Sequence, residues 1–105
     1  MQRINLPKQV IEEIIKIITN YKEVEKIVIF GSRATNNSKN TSDIDVAIFA
    51  KNWTDKDLNI VKFNLDEYIK TPLKFDLLNF YEIEKESLKE NILRDGRIIY
   101  EKRKD

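Results

Sequence analysis

Two segments set the architecture of this chain: Lys26-Ile27-Val28-Ile29-Phe30-Gly31-Ser32 and, after ten intervening residues, Asp43-Ile44-Asp45-Val46-Ala47-Ile48-Phe49-Ala50. The run Lys26–Phe30 is short, rich in β-branched residues and ended by a glycine, which is typical of a buried strand. The apolar run Asp45–Ala50 has the same character and predicts a second strand. Two strands joined by a polar loop over residues 33–42 are therefore expected.

The Gly31-Ser32 pair lies at the predicted end of the first strand. A residue without a Cβ lets the backbone approach a phosphate closely, so the pair is a candidate phosphate-binding turn, although a lone Gly-Ser is an ordinary turn in most proteins. It is not a Walker loop, because no Gly-Lys-Ser/Thr follows. Arg33 either adds positive charge at this turn or pairs with a nearby acid. The polar loop that follows is typical of a phosphate-facing or mobile segment.

Three carboxylates are candidates for a shared site. Asp43 and Asp45 are two positions apart at the start of a strand, so their side chains point to the same face and repel each other unless a cation lies between them. A hard divalent ion with oxygen ligands is the expected cation, although an Asp-x-Asp pair is also common at solvated edges and turns. Asp76 lies within a third strand-like run, Leu73–Phe80, and either faces solvent on an edge strand or faces the same cleft as the first pair.

The remaining pattern alternates helices with these strands. A helix is expected after Leu6-Pro7, and Thr54 with Asp57 predicts the start of a second helix that reaches about Lys70. A third helix ends near Asp95, with Gly96 as its C-terminal stop, and residues 97–101 form a short strand. The apolar stripes expected to face the core are Val10, Ile11, Ile14, Ile15 and Ile18 on the first helix, and Leu58, Val61, Leu65, Tyr68 and Ile69 on the second. The pattern predicts an α/β layer domain with helices packed on a small sheet.

Composition limits the possible functions. The chain has 105 residues, a net charge of +1, no cysteine and no histidine, so we expect a single domain over 1–105 without disulfides, imidazole bases or the usual zinc sites. Catalysis would then depend on carboxylates, Lys, Tyr or a metal. The near-neutral charge argues against strong general nucleic-acid binding. No membrane-spanning or signal segment is evident, and a cytoplasmic location is expected.

The segments Gly31-Ser32-Arg33-Ala34, Ser42–Phe49 and Phe75–Leu78 together resemble the minimal nucleotidyltransferases of the polymerase-β-like superfamily, in particular the MNT-type antitoxins encoded beside HEPN-domain toxins. The chain departs from that pattern at Thr35-Asn36, where a further basic residue or glycine is common; Lys39 is a candidate to compensate. The resemblance implies an α+β fold with a mixed, strongly twisted sheet flanked by helices.

The resemblance also implies a function. Asp43, Asp45 and Asp76 would be the catalytic carboxylates and the ligands of two Mg²⁺ ions, and Gly31, Ser32 and Arg33 would bind the nucleotide. Such proteins transfer AMP from ATP to a tyrosine of the cognate HEPN toxin and so act as antitoxins. Two alternatives remain open: transfer to a small-molecule hydroxyl, and inert binding of the toxin. Trp53 and Tyr81 are candidate partner-facing aromatics, although core packing is the simpler interpretation of each.

Overall fold

A computed structural model describes residues 4, 6–31, 34 and 43–103 of the chain. In these residues three helices and four strands follow one another in the order α1 (Lys8–Tyr21), β1 (Lys26–Phe30), β2 (Ile44–Phe49), α2 (Asp55–Tyr68), β3 (Phe75–Asn79), a 3₁₀ turn (Phe80–Glu82), α3 (Glu86–Asp95) and β4 (Arg97–Glu101). The four strands form one sheet in the order β3-β2-β1-β4. The strands lie where the apolar runs predicted them, with the second and third shifted or shortened by one or two residues.

The sheet is mixed, as expected. β1 lies antiparallel to both β2 and β4, whereas β2 and β3 run parallel. A parallel pair requires a crossover connection, and α2 supplies it. Because side chains alternate along each strand, the register of these pairs determines which side chains share a face of the sheet.

Each face of the sheet has its own apolar cluster. The larger cluster contains buried residues of β1, β2 and β3 packed against α1 and α2; its fully buried members include Ile14, Ile18, Ile27, Ile29, Ile44, Val46, Val61, Leu65 and Phe75. The smaller cluster lies on the opposite face, where Val28, Ala47 and Phe49 pack against Ile92 of α3. α3 therefore packs on this second face, where it contacts β1.

The start of α2 is fixed by a capping box. The Thr54 hydroxyl accepts a hydrogen bond from the Asp57 backbone N–H, and the Asp57 carboxylate accepts one from the Thr54 backbone N–H. Asp57 also accepts a hydrogen bond of 2.7 Å from the Tyr21 hydroxyl, which ties α1 to α2. The hydrogen bond from Tyr21 and that from the Thr54 backbone hold the pKa of Asp57 well below its usual range.

One detail of the helices differs from the sequence-based expectation, and a second agrees with it. Tyr68 was expected in the core but is 67% exposed, because α2 ends there and only Val61 and Leu65 of the helix are fully buried. The helix α3 ends at Asp95 with Gly96 as its C-cap, as expected, and the backbone of Gly96 is extended with a φ of −66°. A Cβ at Gly96 would overlap the Ile92 carbonyl oxygen and a methyl of Val28. A glycine is therefore required here both by the last turn of α3 and by the close approach of Val28 on β1.

The described part of the chain contains no helix that is long and apolar enough to cross a membrane.

Candidate active site

The end of β1 brings a glycine against a carboxylate. Gly31 follows Phe30 with a φ of +75°, the left-handed region that favours glycine. Phe30 is the register partner of Asp45 on β2. A Cβ built on Gly31 would overlap the Asp45 carboxylate oxygen Oδ2 more closely than real side chains permit. The Asp45 carboxylate therefore lies directly beside the α-carbon of Gly31, and both its position and the turn require this glycine.

A second carboxylate lies beside the first. In the parallel pair of β2 and β3, Asp45 is the register partner of Asp76, so their side chains point to the same face of the sheet. Their immediate neighbours Ile44, Val46, Phe75 and Leu77 belong to the large core on the opposite face. The two alternatives predicted for Asp76 are both partly correct. Asp76 is exposed on the edge strand β3, and its side chain also faces the same space as that of Asp45.

The two carboxylates are electrostatically coupled. Burial, followed by the negative charges of Asp76 and Asp43, raises the pKa of Asp45 from 3.8 to about 6, and a hydrogen bond to Asp76 adds to the shift. A protonated Asp45 donates in this hydrogen bond to the Asp76 carboxylate. The arrangement thus concentrates negative charge at one end of β2, where a cation would relieve the repulsion.

Asp43 is exposed, one residue before β2, and contributes to the site through its charge on Asp45. Among the described residues, no three side chains of the metal-binding types are arranged to hold one ion. The donor set nevertheless suits a hard cation in its chemistry: two adjacent carboxylates on one face of the sheet and no nitrogen or sulfur ligand. Asp45 and Asp76 are the pair that is already adjacent.

The remaining predicted residues divide into two groups. Ser32, Arg33, Thr35, Asn36 and Lys39 lie outside the described residues. Both aromatic candidates for partner contact are described. Trp53 is buried, with its indole N–H donating to the Glu23 carbonyl oxygen at 3.0 Å, so core packing accounts for it. Tyr81 is 47% exposed and contacts the Phe49 ring edge-on.

One feature of the site did not emerge from the sequence. A cleft of about 420 Å³ lies between the end of β1 and α3, and its described lining residues are Phe30, Gly31, Leu88, Asn91, Arg94 and Asp95. Gly31 therefore borders both the cleft and the Asp45 carboxylate. In the sequence, the polar residues of α3 are typical of a solvated helix face. Their place beside Gly31 depends on how α3 packs on the face of the sheet that carries Asp45.

The family model of the polymerase β nucleotidyltransferases matches residues 12–105 of the chain. The chain therefore belongs to this family, and the prediction of its superfamily and fold is confirmed. No curated protein sequence matches it.

Solved structures share the fold. The chain resembles a toxin–antitoxin structure with AMP-PNP at a TM-score of 0.77 and 19% identity, covering 88% of this chain and 73% of that one. It resembles the toxin–antitoxin MntA–HpeT, in a mutant with two aspartates two positions apart replaced by glutamate, at a TM-score of 0.68 and 20% identity with the same coverage. A proposed nucleotidyltransferase of Sulfolobus solfataricus matches at a TM-score of 0.53 and 19% identity, covering 89% of this chain and 78% of that one.

Proposed function

We propose that this chain is a metal-dependent nucleotidyltransferase that transfers AMP from ATP to a tyrosine hydroxyl of a cognate HEPN toxin and so acts as its antitoxin, working as a single domain over 1–105. The observation that carries the proposal is the register of β2 and β3, which pairs Asp45 with Asp76 beside the Gly31 turn. Family membership supplies the reaction class, nucleotidyl transfer.

Each proposed residue has a role set by its position. Asp45 and Asp76, joined by Asp43, would hold two Mg²⁺ ions, which supply charge neutralisation and alignment for attack on the α-phosphate. Asp76 lies on the exposed edge strand, where an acceptor hydroxyl can reach it, and would take the proton of that hydroxyl. The Gly31-Ser32 turn would bind the departing pyrophosphate through backbone N–H groups and the serine hydroxyl, with Arg33 adding positive charge.

The solved neighbours support the choice of donor and partner. One of them was crystallised with AMP-PNP, an ATP analogue, and two of them are toxin–antitoxin structures. The replacement of two aspartates two positions apart in one of them matches the spacing of Asp43 and Asp45 here. The resemblance of the Gly31-Ser32 and Asp-x-Asp segments to MNT-type antitoxins supports the choice of a HEPN protein as the partner.

The test is a transfer assay with ATP labelled at the α-phosphate, Mg²⁺ and the cognate toxin. We expect the label on a toxin tyrosine, located by mass spectrometry. Asp45→Asn and Asp76→Asn should each reduce transfer by at least about a hundredfold, because each removes a charged group that acts on the transition state. Glu90→Gln on the exposed surface of α3 is the matched control and should leave transfer unchanged.

Three outcomes would contradict all or part of this proposal. Label on an added small-molecule hydroxyl but not on the toxin would show that the acceptor is a small molecule. A tight complex of the wild-type chain with the toxin that carries no label would show that the chain is an inert binder. Transfer by Asp45→Asn at the wild-type rate would refute the assignment of the site while leaving the family unchanged.

A further inference from the structure

Asp76 lies near the start of a strand that has a neighbour on one side only. In the described part of the chain, β3 pairs with β2 and with no other strand. Just before Asp76, the Ile44 N–H of β2 donates to the Lys74 carbonyl oxygen at 3.0 Å. In a parallel pair with this register, the N–H of Phe75 points away from β2. Because Phe75 is fully buried, this N–H needs a partner from outside the sheet.

A carboxylate of α2 supplies that partner. Asp66 Oδ1 accepts a hydrogen bond from the Phe75 N–H at 3.0 Å. The second oxygen, Oδ2, accepts one from the Lys62 ammonium at 2.9 Å. Because the Asp66 side chain is partly buried, water screens these charge-assisted contacts only in part. Asp66 thus takes the place of a neighbouring strand at the residue directly before Asp76.

The position of Asp66 within α2 is unfavourable for the helix itself. The helix ends at Tyr68, so Asp66 lies in its last turn, where the helix dipole disfavours a negative charge. The order of the ion pair is also the weaker one, because the base Lys62 precedes the acid by four residues. The stability of α2 alone therefore does not explain an acid at this position, whereas the hydrogen bond to Phe75 does.

We propose that Asp66 is a positioning residue, which fixes the start of β3 so that the Asp76 carboxylate stays beside that of Asp45. The inference rests on the proposed function, because it links a side chain of α2 to the transfer step through Asp76. Without this anchor the first residues of β3 are held by β2 alone and open more often, as strand ends do. The Gly31 turn lies after β1 and is unaffected.

The experiment measures transfer and amide exchange on the wild type and three variants. Asp66→Ala removes the acceptor of the Phe75 N–H, whereas Asp66→Asn keeps an acceptor oxygen and loses the ion pair with Lys62. Thr54→Ala is the matched control, because it weakens the same helix at its opposite end. Transfer of AMP to the toxin is followed at varied ATP concentration, which separates kcat from KM. Hydrogen exchange of the backbone amides is followed by NMR in EDTA.

We expect Asp66→Ala to lower kcat by about tenfold or more, because a shift of about 1 Å at a reacting group is costly. The KM for ATP should stay within about twofold of the wild type, since the glycine turn is unchanged. The Asp76 amide should exchange about tenfold faster or more, because its strand end loses a charge-assisted hydrogen bond. Asp66→Asn should keep kcat and this exchange rate within about threefold of the wild type. Thr54→Ala should leave both unchanged.

The failures of the inference and of the proposed function are distinguishable. If the wild type transfers AMP and Asp66→Ala has the same kcat, the inference is wrong and the proposed function is unaffected. If Asp66→Asn is as slow as Asp66→Ala, the ion pair with Lys62 is responsible and the inference is wrong. An equal loss of kcat in Thr54→Ala would show that lower stability explains the effect, which also refutes positioning. If the wild type transfers nothing, the proposed function fails, and an unchanged exchange rate of the Asp76 amide in Asp66→Ala overturns the inference as well.

Discussion

Replacement of Asp45 by Asn should stabilise the metal-free protein at neutral pH while it removes the proposed activity. The carboxylate of Asp45 is partly buried and adjoins the negative charge of Asp76, and its pKa rises from 3.8 to about 6. Asn is nearly isosteric with a protonated Asp and can still donate a hydrogen bond to Asp76. The variant therefore keeps the packing of Asp45 and removes its charge.

The magnitude follows from linkage. The pKa of Asp45 is about two units higher in the folded protein than in the unfolded chain, and each unit corresponds to about 1.4 kcal/mol. Ionising Asp45 in the folded state therefore costs at most about 3 kcal/mol. Because the carboxylate is only partly buried, solvent screening lowers the expected gain to about 1–2 kcal/mol. The folded protein holds this proton more tightly than the unfolded chain. The cost is thus fully present above pH 6 and is lost as the pH falls toward 3.8.

The assay is urea denaturation of the wild type and Asp45→Asn in EDTA at pH 8 and pH 4, followed by circular dichroism. The variant should have the higher free energy of unfolding at pH 8, and most of the difference should disappear at pH 4. Glu90→Gln, an exposed acid on α3, is the control and should differ from the wild type by less than about 0.5 kcal/mol at both pH values. A variant that is less stable than the wild type at pH 8, or equally shifted at both pH values, would refute the reasoning.

Three further substitutions test the site and the fold. Asp76→Asn should lower the pKa of Asp45 below about 6, because it removes a neighbouring negative charge; an unchanged carboxyl titration by NMR in EDTA would contradict the coupling. Gly31→Ala should abolish binding of a non-hydrolysable ATP analogue, measured by calorimetry, because its Cβ overlaps the Asp45 carboxylate and its φ is positive; wild-type affinity would show that the turn can relax. Thr54→Ala should lower the free energy of unfolding by about 1 kcal/mol through loss of the α2 cap, whereas equal urea midpoints would show that the cap contributes nothing.

The sequence predicted the parts of the fold that depend on local patterns. The bounds of β1 were correct because a short β-branched run ended at Gly31, and the start of α2 was correct because Thr54 and Asp57 form a capping box. Helical periodicity predicted Tyr68 in the core, but Tyr68 is exposed in the last turn of α2. Periodicity shows which residues share a helix face and does not show where along the helix that face stops being covered. The end of α3 before Gly96 was predicted correctly, but the contact of this position with Val28 depends on the approach of another element, which no local pattern contains.

The candidate site was predictable only in part. The spacing of Asp43 and Asp45 was enough to place them at one end of a strand, but the side of the sheet that Asp76 faces depends on the register of a non-local pair. The cleft was missed because Asn91 and Arg94 are typical of an exposed helix surface. Their relation to Gly31 arises only when α3 packs against β1.

The buried side-chain amide of Asn79, at the far end of the sheet, helps to fix the register that pairs the two carboxylates. Asn79 is the register partner of Ile48, and its side-chain amide nitrogen donates to the Ala50 carbonyl oxygen at 2.6 Å while its oxygen accepts from the Ala50 N–H at 3.4 Å. This pair of hydrogen bonds aligns the end of β2 with the end of β3. Sliding one strand by a single residue would break it and turn Asp76 to the opposite side of the sheet. The uncharged side chain of Asn79 thus maintains the pairing of Asp45 with Asp76 from about 10 Å away along the strands.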